Sequence, residues 1–401
     1  MRAIFAQPAF RTLWIAQFVS IFGDFLALFA VITKVTFRFH GNASDVALLC
    51  AIYMAPVAFV APVAGVLVDR WPVKRVMIAS DLIRAVLAAA LIWTNTVPHI
   101  GLVLASLALV SSFFGPAQSV SLRTLVAPQD LLAANAMFSQ AFYVVRILSP
   151  ALAGALVAWL GEASCFWIDV ASFVFSAAMI SRLVIARRTA APKDGSLRAL
   201  GRDFLEGNRF IFTHRGLSFA FLASAVAMFM LSSFSPLISV YIRDMLHAGP
   251  LVYGGISAMV GVGLIAGTQT VRSAAKDRPM VNLVLGGLFA LGGAAAVLGA
   301  FQWTATAALS MFAIGFAIAF VVVPAQTLSQ KETPHEMQGR VSSTFMALFS
   351  AAQVLGMLLS GVLADRLGIT RLFLACAAAL ALMAGAAFLW LRPRPQPEPA
   401  A

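Results

Sequence analysis

Charge is what this sequence has least of: 11% of its 401 residues are Asp, Glu, Lys or Arg, where an ordinary soluble domain has roughly 25%. So few charges cannot cover the surface of a water-soluble protein or solvate a disordered one. Cysteine is scarce too. Cys50, Cys165 and Cys376 stand far apart, with no CxxC pair and no histidine nearby, so neither a disulfide framework nor a metal site is expected. No GK[ST] tripeptide occurs, and the glycine-rich stretches around Gly254, Gly261, Gly267 and Gly286 read as close helix packing. The five histidines are scattered, without HExxH or a triad. No catalytic constellation is visible, and no cofactor or metal is expected.

What is abundant is apolar: 61% of the residues are hydrophobic. That amount does not fit inside one soluble core, and it leaves a polytopic membrane protein. A spanning helix needs ~20 mostly apolar residues joined by short polar loops. Twelve such stretches are read here: 12–35, 46–68, 76–97, 100–122, 131–160, 163–185, 217–242, 252–271, 280–301, 303–328, 341–363 and 369–391. The first contains Asp24, is too long for a signal peptide's apolar region and lacks a small-residue cleavage site, so it reads as a true span.

The net charge of +12 follows from topology. With the N-terminus inside, Arg2, Arg11, Arg70, Lys74, Arg75, Arg123, the basic run 182–215, Arg272, Lys276, Arg278, Lys331, Arg340, Arg392 and Arg394 are cytoplasmic. The outer loops hold only Lys34, Arg38, Arg243, Arg366 and Arg371. Both termini are therefore expected in the cytoplasm, and no nucleic-acid partner is needed to explain the charge.

The chain divides into a first bundle (1–186), a linker (187–216), a second bundle (217–392) and a proline-rich tail (393–401) expected to be disordered. In the linker, Leu197, Leu200, Phe204 and Ile211 recur at helical spacing with arginines on the other faces, as in an amphipathic helix on the inner membrane surface. The two bundles share landmarks: Pro116-Ala117-Gln118 with Pro324-Ala325-Gln326, Gly154 with Gly361, and Gly161 with Gly368. The expected fold is thus an all-α membrane protein, twelve transmembrane helices in two six-helix bundles related by an internal repeat, with a substrate site between them.

Ionisable groups inside spans are expensive and mark function. Five occur, all in the first half: Asp24, Asp81, Arg84, Arg146 and Asp169. Asp24, near the middle of span one, is the expected proton carrier. Arg146 keeps its charge and must face a cavity or pair with a carboxylate, Asp24 or Asp169. Asp81 and Arg84, three residues apart, read as a structural charge pair near the cytoplasmic interface.

The segment Gly65-Val-Leu-Val-Asp69-Arg70-Trp-Pro-Val-Lys74-Arg75 joins spans two and three. Together with the twelve spans and the two halves, it resembles the inner-loop signature of the major facilitator superfamily, G-x-L-x-D-R-x-x-x-[KR]-[KR]. The resemblance implies a gate between spans two and eleven made by Gly65, Asp69, Arg70, Lys74 and Arg75. The matching stretch from Gly267 has Val271 where the Asp would stand. Within the superfamily, FRTLWIAQFVSIFGD (10–24), SDLIRA (80–85), RILSPALAG (146–154), FWIDVASF (166–173) and DFLEGNRFI (203–211) are similar to the bacterial exporter branch that includes the enterobactin exporter and macrolide-efflux proteins. RILSPALAG resembles the span-five antiporter signature, with Ser149 in place of its Gly, then Pro150 and Gly154.

These resemblances imply a secondary active transporter that exports a small amphipathic molecule, drug-like or siderophore-like, from a bacterial inner membrane by alternating access, driven by protons or another coupling ion. A monomer is expected. The cavity residues implied are Gln17, Asp24, Ser111, Ser112, Met228, Phe229, Met230, Phe234 and Gln326. An importer or a lysolipid-moving carrier on the same fold, and more remotely a membrane enzyme or non-transporting sensor, are the alternatives.

Overall fold

The computed structural model describes residues 2–68, 70–185, 197–276, 278–334 and 337–391. Residue 186, residues 187–196 of the linker, the tail and Asp69 lie outside them. The chain is helical, with no strand among the described residues. After a single helical turn, α1 (Arg2–Phe5), the first bundle comprises α2 (Pro8–Thr33), α3 (Ala43–Phe59), α4 (Ala61–Val68), α5 (Val73–Trp93), α6 (Val97–Leu125), α7 (Leu131–Leu160) and α8 (Glu162–Ser181). Then come α9 (Leu197–Thr213) and the second bundle: α10 (Arg215–Asp244), α11 (Pro250–Ala274), α12 (Met280–Ala300), α13 (Thr304–Glu332), α14 (Gln338–Leu367) and α15 (Ile369–Leu391). Among the described residues, eleven helices are long and apolar enough to cross a membrane. The remaining span is broken at Val60 into α3 and the eight-residue α4, with Pro56 inside α3. Val60 keeps helical dihedrals, its N–H bonds to the Pro56 carbonyl at 2.7 Å and its own carbonyl accepts from Ala64 at 2.8 Å, so the two pieces follow one another as the single span read from the sequence.

Local chemistry sets the helix ends. Pro8, Pro98 and Pro250 occupy first turns, where a missing N–H costs nothing. Asn42 and Asp45 form a capping box at the start of α3. Gly161 and Gly368 make the tight turns after α7 and α14 at φ of 79° and 85°, in the left-handed region that favours glycine.

The repeat is exact in its helix starts. Six helices of the first bundle, all but α4, begin 207 residues before a counterpart: Pro8 and Arg215, Ala43 and Pro250, Val73 and Met280, Val97 and Thr304, Leu131 and Gln338, Glu162 and Ile369. The register extends to single bonds. Lys34 Nζ donates to the Leu91 carbonyl (2.9 Å), and Tyr241 Oη, 207 residues later, donates to the Leu298 carbonyl (3.2 Å). The interior prolines Pro116 and Pro324 fall one residue out of this register.

α9 is amphipathic, as its spacing predicts, and it docks on the second bundle. Gly207 lies against the Arg340 carbonyl and Thr344 of α14, Ile211 is buried, and Glu206 pairs with Arg340 at 2.5 Å. Of the apolar residues that define its spacing, Ile211 is packed against protein, while Leu197, Leu200 and Phe204 have side chains outside the described ones.

The candidate transport pathway

Two helix crossings join the bundles, and they are the same crossing formed twice. A Cβ on Gly154 of α7 would meet the Gly254 Cα and the Pro250 carbonyl of α11, both at 2.9 Å. A Cβ on Gly361 of α14 would meet the Ala47 Cβ at 2.7 Å and the Ser44 Cα at 2.9 Å on α3. Small residues let the helices approach this closely. Both crossings lie at the end of the bundles away from the chain termini, where α7 and α14 finish and α3 and α11 start. Among the described residues, every hydrogen bond between the bundles lies at this end as well. Thr36 and Ser239 hydroxyls share one at 3.0 Å, and Arg243 Nη1 donates to the carbonyls of Thr36 (2.6 Å) and Gly41 (2.8 Å). The Asp365 carboxylate accepts from the backbone N–H groups of Ala43 (3.2 Å) and Ser44 (3.3 Å), capping α3 from the opposite bundle. Phe29 of α2 stacks on Tyr253 of α11 at 4.3 Å. The close contacts extend inwards to Gly261, which packs against Ile147 halfway along both helices.

At the other end, the segment expected to act as a gate makes no such crossing at Gly65. Gly65 has only Pro116 of its own bundle nearby, at 3.8 Å from an added Cβ, so the tight approach expected of this glycine is absent here. Arg70 and Arg75 are exposed, and neither they nor Lys74 form an ion pair among the described residues.

Inside the first bundle the charges gather between α2, α5 and α8. Arg84 forms an ion pair with Asp81 and lies 3.5 Å from Asp24. Its guanidinium is held between the rings of Phe114 and Phe173, at 4.5 and 4.4 Å. Asp169 adjoins this group: a Cβ on Gly23 would touch the Ser172 hydroxyl and sit 2.7 Å from Asp169 Oδ1, so the bare glycine is what lets α8 bring its carboxyl beside Asp24. Ser172 donates to the Asp169 carbonyl and, at 3.4 Å, to its carboxylate. Asp81, Arg84 and Asp169 are buried, while the Asp24 side chain keeps 22% of its surface open. Two carboxyl groups thus share one guanidinium, with a third, Asp169, beside Asp24. Asp81 Oδ2, Arg84 Nε and the neighbouring Ser176 hydroxyl have no hydrogen-bond partner of their own.

This corrects two expectations. The partner of Asp24 is Arg84 and not Arg146. The Asp81–Arg84 pair is not an interfacial strut, because α5 begins at Val73 and Arg84 is the twelfth of its 21 residues. Arg146 is exposed and forms no ion pair or hydrogen bond with any described residue. It shares a face of α7 with Ser139, Phe142 and Tyr143, which with Ile21, Gln118 and Phe138 line a cavity of about 260 Å³. Ser149 is buried with its hydroxyl unpaired, and α7 runs through Pro150 without a break.

Most of the expected cavity wall is packing instead. Gln17, Ser112, Met228, Met230 and Phe234 are buried. Phe234 meets Phe373 of its own bundle edge-on, and the Met228 sulfur receives Gln353 Nε2. A Met/Phe run on an apolar helix cannot be assigned to cavity or core from sequence, because both favour it. Ser111 and Phe229 are half-buried, and Gln326 is exposed. Sequence reasoning missed Asp365 and Arg243. For Asp365 a signal existed: Gly361-Val-Leu-Ala-Asp365-Arg366 nearly repeats Gly65-Val-Leu-Val-Asp69-Arg70.

The sequence profile described as Major Facilitator Superfamily matches residues 13–352. An uncharacterised MFS-type transporter, YfiS of Bacillus subtilis strain 168, is 28% identical over 388 residues, spanning 94% of this chain and 92% of that protein. Macrolide efflux protein A of Streptococcus pyogenes is 26% identical, spanning 91% of each chain. The crystal structure of the nucleoside transporter NupG shares the fold at a TM-score of 0.77 and 14% identity, covering 96% of this chain and 100% of that one. A profile that spans most of the sequence, two six-span bundles in one register and relatives matched along nearly their whole length make this chain a member of the Major Facilitator Superfamily, a multi-pass membrane transporter.

Proposed function

We propose that the protein is a proton-driven exporter of a small amphipathic molecule, working by alternating access in a bacterial inner membrane with both termini in the cytoplasm. The observation that carries this reading is the Asp24–Arg84 contact, in which a half-open carboxyl faces a buried guanidinium already shared with Asp81. Lys and Arg crowd the terminal end of the bundles, which the positive-inside bias assigns to the cytoplasm. The latched end is then external, and the structure corresponds to a carrier open to the inside. Export of a macrolide by the S. pyogenes relative, as its name states, supports the direction.

In the proposed cycle, Asp24 releases its proton to the cytoplasm in this state and pairs with Arg84 while cargo enters. The bundles then rock, opening the external end. Protonation of Asp24 from outside loosens it from Arg84, cargo leaves, and the bundles return. The surplus of carboxyls over guanidinium gives the group capacity to hold a proton without a bare charge in the bundle core.

The test is proton movement coupled to efflux in proteoliposomes under an imposed pH gradient. Asp24→Asn is expected to keep the fold and lose the dependence on the gradient. Unchanged proton dependence would remove Asp24 from the mechanism and leave the carrier fold intact.

A further inference from the structure

We propose that Arg146 binds an anionic group on the cargo, with Phe142 and Tyr143 holding its apolar body, so that the substrates are amphipathic anions rather than cations. The inference deepens the carrier reading above and rests on it.

Arg146 stands at the middle of α7, exposed and without an ion-pair or hydrogen-bond partner among the described residues. It lies seven residues after Ser139, four after Phe142 and three after Tyr143, which puts it on the helix face that lines the 260 Å³ cavity. The next residue, Ile147, packs on Gly261 of the opposite bundle. Arg146 therefore sits at the floor of the open side, at the level where the bundles begin to touch. Cargo at that level would feel any rocking of one bundle against the other.

The local charge is one-sided. Asp81 and Asp169 are buried, and Asp24, three residues beyond the cavity-lining Ile21, has the Arg84 guanidinium 3.5 Å away as its own partner. A guanidinium cannot give up its proton, so in a low-dielectric site it needs water or an anion. Its planar fork fits a carboxylate, sulfonate or phosphate oxygen pair. Aromatic rings gather at this face, with Phe25 of α2 edge-on to Phe142 at 5.6 Å, and suit a flat apolar body.

The experiment compares two probes that differ in charge and little else, 1-naphthaleneacetate and its neutral amide, 1-naphthaleneacetamide. Binding to the full-length protein is measured by equilibrium dialysis in phosphatidylcholine nanodiscs, with empty discs subtracted. The wild type is expected to prefer the acid by at least tenfold. Arg146→Gln should abolish that preference and Arg146→Lys retain part of it. Equal binding of acid and amide to the wild type, or an undiminished preference in Arg146→Gln, overturns the proposal, and the first of these needs no variant to fold. Adding phosphatidylglycerol separates the sources of the anion: if this lipid displaces the acid only when Arg146 is present, the site serves a headgroup and the cargo assignment is overturned. The binding is read with no pH gradient imposed, so failure of proton coupling and failure of anion recognition read out separately.

Discussion

The two bundles place different chemistry at the same positions. Where the first has Asp24, Asp81, Arg84 and Asp169, the second, 207 residues on, has Leu231, Leu288, Leu291 and Cys376. Leu288 and Leu291 are fully buried in the second core. The architecture therefore closes without charge, and the first bundle carries a buried ionic group that its fold does not require. Keeping an ionisable side chain in a membrane costs about 2.5–3.5 kcal/mol or more. The second bundle is held instead by backbone approach. A Cβ on Gly263 would strike the Phe312 carbonyl, and one on Gly315 the Val260 carbonyl, so α11 and α13 touch nearly backbone to backbone. One bundle holds the charge and the other supplies a tightly packed apolar partner for it to move against.

The largest expected effect comes from breaking the charged group by one member. Arg84→Leu leaves Asp24 and Asp81 without their shared cation, with the Asp169 carboxyl still beside them. Removing one partner of a buried ion pair typically costs about 3–5 kcal/mol, so the thermal midpoint of the purified protein in detergent should fall by many degrees and transport should stop. The sharper experiment copies the second core into the first: Asp24→Leu, Asp81→Leu, Arg84→Leu and Asp169→Cys together. This quadruple variant is expected to recover most of the lost stability, since apolar residues commonly replace buried ion pairs at no cost, and to remain unable to couple to protons. If it is as unstable as Arg84→Leu alone, the charges are structural after all and the comparison between bundles fails.

Next in size is the glycine seam. Ala108 of the first bundle stands where the second has Gly315. Gly315→Ala puts a methyl group onto the Val260 carbonyl and is expected to cost about 1–3 kcal/mol through overpacking. Ala108→Gly should cost about 1 kcal/mol or less, from helix propensity alone. Thermal unfolding of the two variants side by side reads this difference. Equal losses would show that the bundles are packed alike.

The span count and the repeat were legible because hydropathy over ~20 residues is a direct consequence of bilayer thickness, and because Gly154, Gly161 and their partners mark turns and crossings in both halves. The charged group was legible only as a set of residues. Reading span three as 76–97 placed Asp81 and Arg84 near its cytoplasmic end, whereas the helix runs from Val73 to Trp93 and centres Arg84. A shift of three residues turns a helix by most of a turn and moves a side chain ~4.5 Å along the axis, enough to exchange one set of neighbours for another. Pairing Asp24 with Arg146 failed for a related reason. Hydropathy fixes depth but not the direction a side chain takes around its helix: Arg146 falls on the α7 face of Ser139, Phe142 and Tyr143, while Arg84 reaches Asp81 and Asp24 inside the bundle.

The smallest effect tests an asymmetry between the two crossings themselves. Asp365 caps α3 across the α14 crossing, and Ala158 occupies the equivalent place at the α7 crossing. A carboxylate at a helix N-terminus is worth about 0.3–1 kcal/mol, which corresponds to a shift of roughly two- to fivefold between the two states of the carrier. Asp365→Asn should therefore populate more of the form open at this end. Spin labels at Trp159 on α7 and Leu251 on α11, both exposed, would report it as growth of a longer distance. The reciprocal change, Ala158→Asp, adds a carboxylate to the other crossing and should favour the closed end by less. Its target helix begins with Pro250, which has no N–H, so only Leu251 and its successors can donate where α3 offers both Ala43 and Ser44. An Ala158→Asp effect equal to or larger than that of Asp365→Asn would mean that the charge acts on the helix dipole alone. The two backbone hydrogen bonds at α3 would then contribute nothing to holding this end shut.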